Sequence, residues 1–236
     1  MIELIGLTKK YGNTVAVDDL SLQIGDGEFF ALLGPNGAGK STVMGMLSTI
    51  LIPDAGEIRV GGQRLDRGSC KQKQTVSMVT QEYSLRLDMT IEQIMEYQGR
   101  LYFMKKDRIR KRTAELFDLF DLQGHEGKRV RQLSGGMKRR LMVCRALLTE
   151  PKILLLDEPT AGMDAFGRRR MWEILKQLNG EGLTILLTTH NIEEAQQLCN
   201  RVAMIDHGRL VRFGTPEEMT ADGQNLEDVF LDTYGG

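Results

Sequence analysis

Apolar and polar positions along this chain follow two rhythms, and the switches between them outline a layered α/β protein. From residue 1 to about 33, short alternating strands are punctuated by the turns Tyr11-Gly12-Asn13 and Gly25-Asp26-Gly27, the look of an antiparallel layer. Within that stretch Glu28-Phe29-Phe30-Ala31-Leu32-Leu33 is almost continuously apolar and reads as a buried strand. Thr42 to Ile50 then reads as an apolar helix, and Val76-Ser77-Met78-Val79-Thr80 is strand-like. From about 82 to 150 the period lengthens. Ile91, Ile94, Met95, Gln98 and Leu101 recur at helical spacing, as do Leu116, Phe117 and Phe120, and again Leu141, Arg145 and Leu148. Ile153-Leu154-Leu155-Leu156, bounded by Pro151 and Asp157-Glu158-Pro159, is too short to span a membrane and reads as a parallel strand buried on both faces. A helix around Arg168 to Leu178, a strand Leu183 to Thr189 and a helix Asn191 to Cys199 follow. Thr215-Pro216-Glu217-Glu218 has a capping Thr, a Pro at the first helical position and a Glu at the box position, so a short helix starts there. The expectation is one domain over residues 1–236, with a helical insertion at about 82–150 and a short helical tail at about 215–236.

Composition narrows the class. The chain has 236 residues and a net charge of −1, so no strong field favours nucleic acid or an anionic membrane. Cys70, Cys144 and Cys199 are isolated thiols without metal spacing, which points to neither a disulfide framework nor a zinc site. There is no signal peptide and no apolar stretch of about 18 residues, so a membrane role is expected to come through a partner. The thirteen methionines read as core filling. The run Lys105-Lys106-Asp107-Arg108-Ile109-Arg110-Lys111-Arg112 reads as a solvated helix face, with lipid headgroups or an acidic partner loop as the other readings.

Three motifs carry chemistry. Gly34-Pro35-Asn36-Gly37-Ala38-Gly39-Lys40-Ser41 lies between a buried strand and an apolar helix. Residues without side chains let successive backbone N–H groups close around phosphate oxygens, while the helix behind points its positive end at them. In this loop Lys40 contacts the β- and γ-phosphates and Ser41 binds magnesium. Asp157 and Glu158 end a buried strand, where ligands sit in open α/β sheets. Asp157 is placed to help hold magnesium, and Glu158 is the better candidate for the general base that polarises the attacking water; taken alone, the pair could instead cap the next turn. The third element, Leu133-Ser134-Gly135-Gly136-Met137, opens the helical run that includes Leu141. Ser134 is a natural N-cap, and a serine with two glycines at a helix start is a second anion site, or a plainly capped helix.

With these three elements in this order, the chain resembles the ATP-binding subunit of an ABC transporter, from Met1 to about Gly214. The resemblance implies the ABC ATPase fold, an α/β P-loop NTPase core with an N-terminal antiparallel β layer and a helical insertion. It implies ATP and Mg2+ as cofactors and magnesium-dependent ATP hydrolysis. Nucleotide contacts are then expected from Tyr11, which matches the aromatic that stacks on adenine, and from Gly34, Pro35, Asn36, Gly37, Ala38, Gly39, Lys40, Ser41 and Thr42. Ser134, Gly135 and Gly136 are expected to close over the ATP held by a second cassette. Met137 replaces the family's usual Gln and removes an amide at the ribose side. Magnesium ligands are expected at Ser41, Gln81 and Asp157, and catalytic groups at Glu158, His190 and Gln81. Asp164, in Ala161-Gly162-Met163-Asp164, matches the acidic turn that crosses the dimer interface, although the family more often has Ser-Ala-Leu-Asp.

The resemblance also implies partners: a separate transmembrane permease, and a second cassette in an ATP-dependent homodimer or pair. No direct nucleic acid contact is expected. The subunit would be cytoplasmic, peripheral on the inner face of the cell membrane, with the permease docked near Gln81 and the segment Glu82 to Thr90. There Tyr83, Leu85, Leu87 and Met89 offer apolar surface or pack locally. Asn225 to Leu231 is similar to the tail of the exporter branch that moves drugs, lipids or polysaccharides. The alternatives are a soluble ABC-type ATPase acting on nucleic acid or ribosomes, whose coiled-coil insertions, zinc modules or fused cassettes are absent here, and a regulatory module without turnover, against which Glu158 and His190 argue.

Overall fold

The computed structural model describes residues 1–220 and 225–235; of the expected tail, 221–224 and 236 lie outside the described residues. In chain order the elements are β1 (Ile2–Tyr11), β2 (Thr14–Ile24), β3 (Phe29–Leu33), α1 (Lys40–Leu47), β4 (Ala55–Val60), β5 (Gln63–Arg64), α2 (Cys70–Thr75) and β6 (Val76–Val79). Then come α3 (Ile91–Leu101), α4 (Lys106–Leu119), a 3-10 turn (Val130–Gln132), α5 (Gly135–Leu147), β7 (Ile153–Asp157), α6 (Ala165–Gly180) and β8 (Thr184–Thr189). The chain continues through α7 (Ile192–Leu198), β9 (Arg201–Asp206), β10 (Arg209–Gly214), α8 (Pro216–Met219) and α9 (Leu226–Tyr234).

Two sheets result. One is antiparallel with order β2-β1-β4-β5; the other runs β10-β9-β3-β8-β7-β6, parallel except for β10. Alternation explains the first: Ile2, Leu4 and Leu7 of β1 and Leu20, Leu22 and Ile24 of β2 are buried, while polar neighbours face water. Continuous apolar runs explain the second. Along β3, Phe30 and Leu32 join the core beneath the antiparallel sheet, and Phe29, Ala31 and Leu33 join the core beneath the helices. β7 divides likewise, Ile153 and Leu155 to one core and Leu154 and Leu156 to the other. The parallel sheet is therefore covered on both faces, as strands without a polar side must be.

This corrects the reading of residues 1–33 as one antiparallel layer. β1 and β2 form it, but β3 belongs to the parallel sheet because its fully buried run pairs with β8 and β9. β4 and β5 complete the layer instead. The expected helices are present with shifted ends: Thr42 to Ile50 becomes Lys40–Leu47, and Arg168 to Leu178 extends to Ala165–Gly180. The basic run starts α4, turning Ile109 inward and pairing Arg108 with Glu150. Cys144 and Cys199 are buried free thiols, and the Cys70 side chain lies outside the described ones. No helix among the described residues is long and apolar enough to cross a membrane.

Candidate active site

The parallel register brings the site together. Leu33 pairs with Thr189, and Asp157 with Thr188, so Gly34, Glu158 and His190 leave the sheet at one edge. The loop from Gly34 to Gly39 turns there into α1, whose first turn has no side-chain cap. Its N–H groups are thus left for an anion. Gly39 has φ +104°, and a Cβ on it would lie 2.3 Å from the Ala16 carbonyl oxygen. Only glycine lets the loop rest against β2 in this way. The contact also anchors the hairpin that carries Tyr11, which pairs with Thr14 beside Ala16. Tyr11 is 48% exposed, and the Lys9 ammonium stands over its ring, Nζ 5.7 Å from the centroid.

Lys40 is folded onto its own loop, Nζ donating to the carbonyls of Gly34 at 2.7 Å and Pro35 at 2.9 Å. Burial pulls its ammonium below the usual lysine range, and the charges of Glu158 and Asp157 partly offset this. A desolvated cation with only carbonyl partners is ready for phosphate. On the opposite wall, Asp157 Oδ1 accepts a short bond from the Thr188 hydroxyl and lies 3.4 Å from Ser41 Oγ. Glu158, in the left-handed region at φ +49°, is gripped at both oxygens. Gln81 Nε2 donates to Oε2 at 3.1 Å, and His190 Nδ1 lies 3.0 Å from Oε1. The carboxylate is nearly buried while the imidazole stays exposed. Such an arrangement can hold a base in one rotamer and leave its neighbour free to meet a phosphate.

Ser134, Gly135 and Gly136 are placed apart from this cluster. Ser134 caps α5, its Oγ accepting from Met137 N at 3.2 Å, and no hydrogen bond among the described residues joins the three to the phosphate loop. They instead meet Tyr83, whose hydroxyl donates to Gly135 O at 3.3 Å, and Met163, 3.6 Å from where a Gly136 Cβ would sit. Asp164 caps α6, its Oδ1 accepting from Gly167 N at 2.7 Å. In the segment Glu82 to Thr90, Leu85 is 8% exposed and part of the core, which rules out apolar surface there in favour of local packing; Tyr83 and Leu87 remain about half exposed, and Met89 packs on the core.

Three residues with positions in this machinery escaped the sequence reading. Thr188 orients Asp157. Arg139 is buried and donates to the carbonyls of Thr80 and Gln81, each at 2.8 Å, bolting α5 to the Gln81 loop. Burial lowers its pKa, with Tyr83, Asp157 and Glu158 opposing. Glu194 is a buried acid on α7. The missed signal for Arg139 was periodic: it shares a buried stripe with Met142, Val143 and Ala146, where a cation needs a reason.

Known proteins resemble this chain along most of its length. A family model described as "ABC transporter" matches residues 17–161. The daunorubicin resistance ATP-binding protein DrrA3 of Streptomyces coeruleorubidus is 42% identical over 99% of this chain and 74% of its own length. A Nod factor export ATP-binding protein I of Rhizobium sp. (strain N33) is 40% identical, over 100% of this chain and 77% of its own. Among solved structures, a dimeric post-hydrolysis ATP-binding cassette bound to ADP and Pi superposes with a TM-score of 0.81 at 27% identity, over 91% of this chain and 98% of the other.

Proposed function

Since the chain belongs to the ABC transporter family, as an ATP-binding and ATP-hydrolysing subunit, we propose that Glu158 is its general base and that it powers export through a separate membrane permease. The observation that carries the first part is the clasp on Glu158, one oxygen held by Gln81 and the other beside His190 at the edge where the phosphate loop begins. In this reading the loop N–H groups and Lys40 take the triphosphate, Lys40 exchanging two carbonyls for phosphate oxygens. Glu158 accepts the proton as a water oxygen bonds to the γ-phosphorus and the bond to the bridging oxygen breaks, leaving ADP and phosphate. His190 donates to a γ-phosphate oxygen, and Tyr11 stacks on adenine.

Magnesium fits the chemistry of the donors. Ser41 and Asp157 converge on one point, and the described residues contain no cluster of three or more His, Cys, Asp or Glu that would make an all-protein cage. A magnesium ion keeps several waters and takes phosphate oxygens alongside one or two protein ligands, so Ser41 and Asp157 would hold it, with Gln81 as a further proposed ligand. Bound there, it neutralises charge on the β- and γ-phosphates.

A second cassette is the reading supported by Ser134–Gly136 making no hydrogen bond to the phosphate loop among the described residues, and by the dimeric relative. We read residues 1–236 as one ATPase domain. Export is supported by the relatives' names, which speak of daunorubicin resistance and Nod factor export. With no membrane-crossing helix among the described residues, attachment to the cytoplasmic face would come through the permease, at Tyr83 and Leu87. Tyr83 also reaches Gly135, which links that surface to α5, whose start carries the Ser134–Gly136 signature. The test of hydrolysis is phosphate release by Glu158→Gln: ATP binding persists and turnover falls by about 10²–10⁴. Turnover at the wild-type rate would remove Glu158 from this position.

A further inference from the structure

Glu194 is 1% exposed, yet no ion pair holds it among the described residues. Its Oε1 accepts from two neutral donors, Thr160 Oγ1 at 2.8 Å and Trp172 Nε1 at 3.0 Å, both buried. A carboxyl group buried in that setting is costly compared with an apolar residue, so its presence calls for an explanation beyond packing. The three groups come from three elements. Thr160 stands in the turn that follows Glu158, where Ala161 N donates to Glu158 O at 3.2 Å. Glu194 stands in the first turn of α7, just after His190, and its own N–H is fixed by Asn191 Oδ1 at 3.2 Å. Asn191 N in turn donates to Thr189 Oγ1 at 2.9 Å. Trp172 lies on α6, the helix capped by Asp164, with the Arg168 guanidinium 5.9 Å from its ring centroid.

We infer that Glu194 is a positioning residue for hydrolysis: one carboxylate oxygen fixes the spacing between the backbone carrying Glu158 and the backbone carrying His190, and Trp172 senses that spacing. The inference rests on the proposed use of Glu158 and His190. An oxygen shared by two donors ties the turn after Glu158 and α6 to the first turn of α7, adding to the bond from Glu158 N to Thr188 O at 3.0 Å that already joins the strand ends. His190 is the exposed partner of the Glu158 contact, and the loop it sits on is held from behind by Glu194. A change at the γ-phosphate that shifts either loop must therefore strain the bond to Trp172. Since Trp172 is the only tryptophan in the chain, its emission belongs to this junction alone.

The test compares wild type, Thr160→Val, Glu194→Ala and Glu194→Gln in ATP hydrolysis, ATP binding and tryptophan emission with ATP or ADP. Thr160→Val removes one bond at nearly constant volume; kcat is expected to fall about tenfold with KM for ATP within about twofold, since one buried hydrogen bond is lost. Its emission should no longer distinguish ATP from ADP, whereas the wild-type emission does. Glu194→Gln keeps an acceptor oxygen and should recover most of the activity that Glu194→Ala loses. The inference is overturned if Thr160→Val matches wild type in both kcat and emission. It is equally overturned if kcat, ATP affinity and melting temperature fall together and Gln rescues no better than Ala, the pattern of simple unfolding. Wild type that binds but does not hydrolyse ATP would sink the proposed function itself, and this inference with it.

Discussion

At the ends of β7 and β8 the site is assembled within one chain, whereas at the start of α5 it is left open. Glu158 is held at both oxygens, Asp157 by Thr188, and Lys40 by two carbonyls. Ser134 and Gly135 are exposed, and apart from the Ser134 cap and the Tyr83 contact they face outward. The difference follows from solvation. Charged groups taken out of water need partners at once, while a helix N-terminus in water can wait for its anion. In the proposed reading, one chain thus builds a binding loop of its own and offers half of a lid to another's. Arg139 joins the two regions, running from the signature helix to the Gln81 loop.

The comparison can be broken at each end and in the middle. The largest effect is expected at the assembled end: Glu158→Gln should lower kcat by about 10²–10⁴ while leaving a filter-binding titration with ATP unchanged. Between the regions, Leu85→Ala should cost about 2–5 kcal/mol of stability in urea unfolding, because the side chain is in the core. Leu87→Glu, at a half-exposed position, should change stability by no more than about 0.5 kcal/mol and release the protein from membranes in a sedimentation assay, with basal ATPase retained. Membrane retention of that variant would move the docking surface elsewhere. Arg139→Met should lose about 1.5–3 kcal/mol in thermal unfolding, since it removes a charged donor from two carbonyls. The smallest effect is expected at the rim, where Tyr11→Ala should raise KM for ATP by about two- to tenfold, the equivalent of one stacking contact of about 0.5–1.5 kcal/mol.

How far the sequence reaches depends on whether a residue's neighbours are local. The phosphate loop and the β7 acids each sit within one strand–turn–helix passage, and the Ser134 cap lies between a 3-10 turn and α5, so periodicity with capping chemistry reads them directly. β4, β5 and β10 went unread because their burial alternates weakly, with glycines at Gly61, Gly62 and Gly208 and exposed arginines along β10, whereas β9 offers only the four-residue buried run Val202–Ile205, too short to tell from a helix segment by period. Leu85 stayed open between surface and local packing because an apolar residue in a loop has no period to betray its direction. Arg139 and Glu194 were hidden for a different reason: their partners are 58 and 34 residues away, a distance that local pattern does not span.

The central claim is that the open signature of one copy completes the assembled loop of another across ATP. Size-exclusion chromatography with light scattering on Glu158→Gln tests it most directly, with ATP and magnesium or with ADP, alone and combined with Ser134→Arg. The expected result for Glu158→Gln alone is a dimer in ATP and a monomer in ADP. Adding Ser134→Arg places a long side chain in the second phosphate site, and no dimer is then expected in either nucleotide. An ATP-dependent dimer that survives Ser134→Arg would contradict the account.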